Sequence, residues 1–382
     1  MLSGIYAGTA FFLHQSLRSD QQICKCSMQK FISFCIAVLV LIAFGSSASS
    51  AIGAPSTAGE DDVAAFYTGK TVRIIVGYPP GGGYDAYSRV IGRHLGKHIR
   101  GNPTVVVDSM AGAGSIVAAN HMFNVAPKDG TSIGNISGPI ILEQLFGNSA
   151  VRFDMARFRY LAVPIPETYL LLVHRRMGVT KFEQLLRANQ KQVTIGGVPN
   201  NTIEHAAVII RDVMGANVKV VSGYKGTSDI RLAMESGEID GFFNTWTSAR
   251  VAALELINNG EWLILAQLTD AGLPDLPKNN IPTIAAISRT EEQRQLLRLG
   301  ISAPSAFAKL YLMPPGVDEK RAQAMESAFT ETFRDSDFLK DAEKAKIEIR
   351  PLRGMKTGSL VTQVLQTPAD LKIKLKNILH KS

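Results

Sequence analysis

Val72-Arg73-Ile74-Ile75-Val76 runs into Tyr78-Pro79-Pro80-Gly81-Gly82-Gly83-Tyr84-Asp85, and Ala86, Val90, Ile91 and Leu95 follow at helical spacing. The β-branched run predicts a strand, the Pro/Gly cluster a turn, and the apolar stripe an amphipathic helix. Asp85 reads as the N-cap of that helix. The same unit recurs. Thr104 to Val107 leads into Ala111-Gly112-Ala113-Gly114-Ser115 and a helix through about Asn124. Ser132 to Ile136 leads into Ser137-Gly138-Pro139 and a helix from Ile140 to Phe146. Strands that alternate with helices predict an α/β fold with mainly parallel sheets flanked by helices.

A second set of units begins near Tyr169. Tyr169 to His174 reads as a strand, and Val193 to Gly196 leads into Gly197-Val198-Pro199-Asn200-Asn201-Thr202 and a helix from Ile203 to about Met214. Val218 to Val221 leads into Gly223-Tyr224-Lys225-Gly226-Thr227-Ser228, and Ile239 to Phe243 into Asn244-Thr245-Trp246-Thr247-Ser248. Leu263 to Leu268 is a further strand, and amphipathic helices fill the remainder. Two sets of units predict two lobes. The chain is expected to cross between them at Val163 to Glu167, which holds Pro164 and Pro166, and at Leu263 to Thr269. One lobe then comprises residues 62–164 with 269–382, and the other 165–268. Crossings of this kind belong to hinged clamshells.

At 382 residues, 46% of them hydrophobic and 19% charged, the chain has material for a large core and is neither disordered nor a small disulfide scaffold. Phe31 to Phe44 is an uncharged apolar run, short against the roughly 20 residues of a membrane span. Lys30 precedes it and small residues follow, the pattern of a secretory signal peptide cut after Ser49-Ser50-Ala51. Residues 1–51 therefore read as an export signal, with Met28 as an alternative start that leaves 1–27 as an upstream extension. The mature chain is expected outside the inner membrane, in the periplasm.

Cys24, Cys26 and Cys35 all fall within this segment, so the remainder has no thiol for a disulfide, a nucleophile or a metal. The formal charge of +8 becomes +6 without Arg18, Lys25, Lys30 and Asp20. Scattered basic residues with no run exclude a nucleic-acid arm and suit attraction of small anions.

Five or more loops rich in Gly, Ser, Thr or Asn sit directly before helices. A helix N-terminus offers unpaired N–H groups and a partial positive charge, and glycine lets a ligand approach the backbone. Together they form an anion site that needs no dedicated cation. Enzyme signatures fail. Val117 stands where a dinucleotide fingerprint needs its third glycine; no phosphate-binding P-loop and no nucleophile elbow are present. No cofactor is implied. His94 and His98, four apart, read as an exposed helix face rather than metal ligands. His205 reads equally as a ligand contact or as a packed residue, Trp246 as a cleft wall or core cover, and Asp229 and Asp240 as structural.

At these loops the sequence resembles the substrate-binding proteins of tripartite tricarboxylate transporters, the Bug-type extracytoplasmic receptors. The resemblance runs from about Phe66 to Leu352. It rests on Pro80-Gly81-Gly82-Gly83-Tyr84-Asp85, on Val105-Val106-Val107 with Gly112-Ala113-Gly114, and on Ala126-Pro127-Lys128-Asp129-Gly130. In the second set it rests on Thr202-Ile203-Glu204-His205, Tyr224-Lys225-Gly226-Thr227 and Gly237-Glu238-Ile239-Asp240. Ser109-Met110-Ala111, Ser115 and Val198-Pro199-Asn200-Asn201 depart from the family pattern and mark a divergent branch.

The resemblance implies a two-lobe periplasmic-binding-protein (Venus flytrap) fold. It implies a receptor, not an enzyme, that captures a small carboxylate between its lobes and delivers it to the permease subunits of a tripartite transporter. Such a receptor is expected as a monomer without bound metal. Its candidate contacts are Tyr78, Gly81, Gly82, Tyr84, Asp85, Ala113, Gly114, Ser115 and Ser137 in the first lobe. In the second they are Asn200, Asn201, Thr202, His205, Tyr224, Thr227, Asn244 and Trp246. Two other classes fit the same scaffold: a sensory receptor that docks on a signalling partner, and an exported enzyme, for which the sequence offers no nucleophile–base pair.

Overall fold

The computed structural model describes residues 58–380, apart from 188, 190, 200, 225, 278 and 279. The segment read as an export signal (residues 1–51), Asn200 and Lys225 therefore lie outside the described residues. Helix α1 (Ala58–Tyr67) is followed by β1 (Thr71–Val76), α2 (Gly83–Leu95), β2 (Thr104–Ser109), α3 (Ile116–Asn124), β3 (Ser132–Ser137), α4 (Ile141–Leu145) and β4 (Arg159–Val163). Next come β5 (Tyr169–His174), β6 (Val193–Gly196), α5 (Thr202–Met214), β7 (Val218–Val221), α6 (Thr227–Ser236), β8 (Gly241–Thr245), α7 (Trp246–Ala252), α8 (Leu254–Asn258) and β9 (Trp262–Gln267). The chain ends through α9 (Ile284–Ile287), α10 (Glu291–Leu297), α11 (Ala303–Ser305), β10 (Lys309–Met313), α12 (Glu319–Thr332), α13 (Ser336–Lys344), β11 (Leu352–Arg353), α14 (Gly354–Leu365) and α15 (Ala369–Leu379).

The strands form two sheets, ordered β11-β4-β10-β3-β1-β2 and β7-β6-β8-β5-β9. β1 pairs in parallel with both β2 and β3, with Ile74 opposite Val107 and Ile133. β10 and β11 return antiparallel beside β3 and β4. In the second sheet β6 is parallel to β7 and β8, whereas β5 is antiparallel to β8 and β9.

The alternation along β1 explains its layers. Val72, Ile74 and Val76 are buried with Val90, Ile91 and Leu95 of α2 and Met325 and Phe329 of α12. Ile75 faces the other way, into the core shared with Ala118 and Met122 of α3. The parallel strands β1, β2 and β3 thereby bring the turns before α2, α3 and α4 to one end of the first sheet.

The segment after residue 269 packs in pieces. α10 and α15 lie against α5, beside the second sheet, whereas α12 and α14 lie against β4 in the first. Lys376 of α15 donates to the Phe146 carbonyl at 2.6 Å.

His94 and His98 do not form an exposed face. Each is partly buried and bonds an aspartate through Nε2 at 3.0 Å, Asp341 for His94 and Asp335 for His98. These bonds fasten the end of α2 to the start and middle of α13, contacts of long sequence separation that a helical-wheel reading cannot supply.

Candidate functional site

Helix capping sorts the loops. α5 is capped by Asn201, whose side chain accepts from Ile203 N–H, and α7 by Thr245, which accepts from Ser248 N–H. The N-caps of α2, α3 and α6 are Gly82, Ser115 and Gly226, and none of these makes a side-chain cap bond. Three helices therefore start without a capping side chain, the condition that favours a carboxylate, although at α3 the N–H groups of Ser115, Ile116 and Val117 turn back to the carbonyls of Gly112 and Ala113.

Asp85 differs from its sequence reading as a cap. The cap is Gly82, three residues earlier, and Asp85 sits in the first turn with its carboxylate turned back. Its Oδ2 accepts from Gly81 N–H and from Arg89 Nε, both at 2.9 Å. Arg89 and the loop N–H hold this carboxyl below the usual carboxylate range. Asp85 is thus the tie that shapes the Gly81–Gly83 turn.

The loop before α3 is built on four successive positive φ angles: 152° at Gly112, 46° at Ala113, 62° at Gly114 and 88° at Ser115. Two of them belong to side-chain-bearing residues, so the turn stores strain of about 1–3 kcal/mol per residue. Surrounding contacts hold it. Ser115 N–H bonds Gly112 O at 3.0 Å, and the buried Ser115 Oγ accepts from Ser137 N–H at 3.1 Å. Only glycine fits at Gly77, where a Cβ would lie 2.0 Å from Ser115 Oγ. Backbone turned this way presents successive N–H groups in a concave arc suited to anions.

Hydroxyl groups gather beside these loops. Tyr78 and Tyr84 stack with centroids 4.3 Å apart, both close to the Ser137 side chain. Tyr84 OH donates to Ala308 O at 2.8 Å. From the second sheet, Tyr169 stands beside Thr202 at the start of α5 and within electrostatic reach of Tyr78. Burial pushes all three tyrosine hydroxyls up, so they stay protonated and can donate. Among the described residues beside these loops, Arg89 pairs with Asp85 and Lys309 with Glu167. Lys309 Nζ lies 5.6 Å from the Tyr84 ring centroid and 5.0 Å from that of Tyr87.

The first-sheet candidates Tyr78, Gly81, Gly82, Tyr84, Asp85, Ala113, Gly114, Ser115 and Ser137 are thus brought together. Asn201 is spent on its cap, and Thr202 joins Tyr169. Thr227 and Asn244 line one small cavity. The other three turn elsewhere. Tyr224 OH donates to Glu238 at 2.6 Å, and burial, followed by that bond, pushes its pKa up to about 12. Trp246 is buried and its Nε1 donates to Asp275 at 2.8 Å. His205 lies by His380 of the C-terminal segment, and burial lowers its pKa to about 4.

Glu167, Lys309 and Tyr169 belong to the neighbourhood and carry no sequence signal beyond Glu167's place in a proline-marked crossing. Among the described residues no group of three or more His, Cys, Asp or Glu could hold a metal ion, and no helix is long and apolar enough to cross a membrane.

Two helix-flanked mixed sheets, with glycine-rich turns leading into uncapped helices, define a two-domain solute-binding fold. The chain belongs to the tripartite tricarboxylate transporter family of receptors, whose family model matches residues 88–365. Among solved structures, a TctC solute-binding protein from Polaromonas without ligand aligns over 83% of this chain and 100% of its own, with TM-score 0.61 and 15% identity. An R. palustris protein with adipate aligns over 81% and 97%, with TM-score 0.58 and 17% identity. MatC from Rhodopseudomonas palustris with bound malate aligns over 81% and 99%, with TM-score 0.56 and 14% identity. The family and these structures are substrate-binding proteins.

Proposed function

We propose that this protein is a periplasmic receptor that captures a small carboxylate-containing ligand between its two sheets and delivers it to the membrane permease of a tripartite transporter. The carrying observation is the pair of uncapped helix starts at Gly82 and Ser115, set beside the hydroxyls of Tyr78, Tyr84 and Ser137. Backbone N–H groups of Gly82–Tyr84 and Ala113–Gly114 hold one carboxylate of the ligand, while Gly81 N–H stays on Asp85. Thr202, Thr227, Asn244 and the remaining candidates of the second lobe read the rest of it. Residues 62–164 with part of 269–382 form one closing lobe and 165–268 the other, with α10 and α15 packed against the second.

The malate and adipate in the two R. palustris structures support a carboxylate ligand. Family membership supports the permease partner and the periplasmic location. Export follows cleavage after Ala51, and the working form is a monomer.

A thermal-shift screen of the purified protein against mono-, di- and tricarboxylates tests the capture reading. A ligand at 100 times its Kd adds about 2.7 kcal/mol of stability, so binding raises the Tm visibly. Absence of any shift with every acid tested counts against it. N-terminal sequencing of protein from the periplasmic fraction tests export, with Ile52 as the expected first residue.

A further inference from the structure

At the start of α6 the second sheet borders a partly open cavity of about 80 Å³, lined among others by Thr227, Ser228, Arg231, Asn244, Ser248 and Trp262. A void of roughly 10–15 Å³ on this measure holds one water, so there is room for an anion of several heavy atoms. The alternation of β8 places Phe242 and Asn244 on one face, and Trp262 packs edge-on against Phe242 at 5.7 Å.

The lining has an imbalance of donors. Trp262 Nε1–H is fully buried and has no partner. Asn244 is 5% exposed, and its side-chain amide makes no hydrogen bond among the described residues. A buried donor without a partner is destabilising, and an indole N–H can be satisfied only by an acceptor. Gly226 leaves α6 without a side-chain cap, so Thr227 and Ser228 add N–H groups at the positive end of the helix.

Among the described residues of the lining Arg231 is the one cation, and none is a carboxylate. It donates to Ala252 O at 3.3 Å, and its nearest counter-charge, Glu235, stands 4.0 Å from Nε. Asp229, in the same first turn, is exposed and does not line the cavity.

We propose that this cavity is a small-anion site for a carboxylate-sized group, with Arg231 as counter-charge and Asn244 and Trp262 Nε1–H as donors. Thr227 and Asn244 also belong to the capture reading, on which the tail-carboxylate outcome rests, whereas a free anion at this site does not depend on it. A free small anion and the tail carboxylate of a captured ligand share the required chemistry, and the test separates them.

The purified protein is titrated with sodium formate at constant ionic strength, read by calorimetry and by tryptophan emission; Trp246 and Trp262 are its two tryptophans. Saturable binding with an emission change is expected. Arg231→Gln weakens it at least fivefold, and Asn244→Leu, which fills the cavity, abolishes it. Arg231 is partly exposed, so Arg231→Gln decides the matter if Asn244→Leu does not fold.

Hexanoate and adipate, with equal chain lengths, then separate the sources. Displacement of formate by adipate but not by hexanoate assigns the site to a ligand tail. Formate bound beside either acid assigns it to a free anion. Absence of saturable formate binding, or binding that both variants leave unchanged, overturns the proposal.

Discussion

Glu167 and Lys309 form an ion pair at the passage between the two sheets, with side chains only 2% and 10% exposed. The second oxygen of Glu167 accepts from Thr247 Oγ1 at 2.8 Å. One carboxylate therefore joins β10 of the first sheet to α7 beside the second. A buried charge stripped of its partner is expensive, at about 3–5 kcal/mol. Lys309→Met is expected to lower unfolding stability by about that much. The pair of changes Glu167→Gln with Lys309→Met is expected to cost less than the sum of the two alone. Urea denaturation of the four proteins in the cycle checks this, and additive losses would show that the two side chains are not coupled.

Asp85 ties Gly81 to Arg89, so its removal should affect the turn more than the fold. Asp85→Ala is expected to lower stability by about 1 kcal/mol, the worth of one or two such hydrogen bonds. Carboxylate affinity should fall more than tenfold, because the Gly81–Gly83 N–H groups lose their fixed orientation. Asp85→Asn keeps an acceptor for Gly81 N–H and should lie between. Calorimetry alongside melting curves separates the two effects, and an affinity that simply follows stability would remove Asp85 from the binding argument.

Gly77 is the point at which the strained loop before α3 leans on β1. A methyl group there collides with Ser115 Oγ at 2.0 Å and Cβ at 2.8 Å. Overpacking of this kind costs about 1–3 kcal/mol. Gly77→Ala is expected to fold, to melt earlier, and to lose most carboxylate binding as Gly112–Ser115 moves. Full retention of affinity would mean that the loop does not touch the ligand.

Acid should loosen the junction of α2 with α13. Lys97 above all holds the Asp335 carboxyl well below the usual range, and His94 above all holds that of Asp341 below it. A carboxylate lowered in the folded state stabilises above its unfolded pKa of about 3.9 and loses that contribution as pH falls further. Stability should therefore decline as pH falls from about 4 toward 2. Asp335→Asn keeps a good N-cap for α13 but drops the charge. Its melting temperature should vary less with pH over that window, and an unchanged profile would assign the acid sensitivity elsewhere.

The sequence carries the strand–turn–helix units because their signals are local. β-branched runs, Pro/Gly clusters and the stripe of Val90, Ile91 and Leu95 all act within a dozen residues. The Gly81–Asp85 and Gly112–Ser115 turns are legible for the same reason. What the carboxylate of Asp85 does is not, because cap and back-reaching tie use the same residue three positions apart. The roles of Glu167, Lys309 and Tyr169 depend on partners far along the chain, and nothing local says that a lysine will be buried. Trp246 is buried, and His205 is half-buried beside His380. Polar neighbours in sequence do not reveal Asp275 or His380, which lie 29 and 175 positions away.

Capture of a carboxylate by the turns before α2 and α3 is tested most directly by calorimetry of the purified protein with malate, adipate, hexanoate and a tricarboxylate. Saturable binding of at least one of them at one site per chain is expected, lost in Gly77→Ala and weakened in Asp85→Ala. Heat-silent titrations with all four acids, together with saturable binding of an uncharged solute that Gly77→Ala leaves intact, would contradict it.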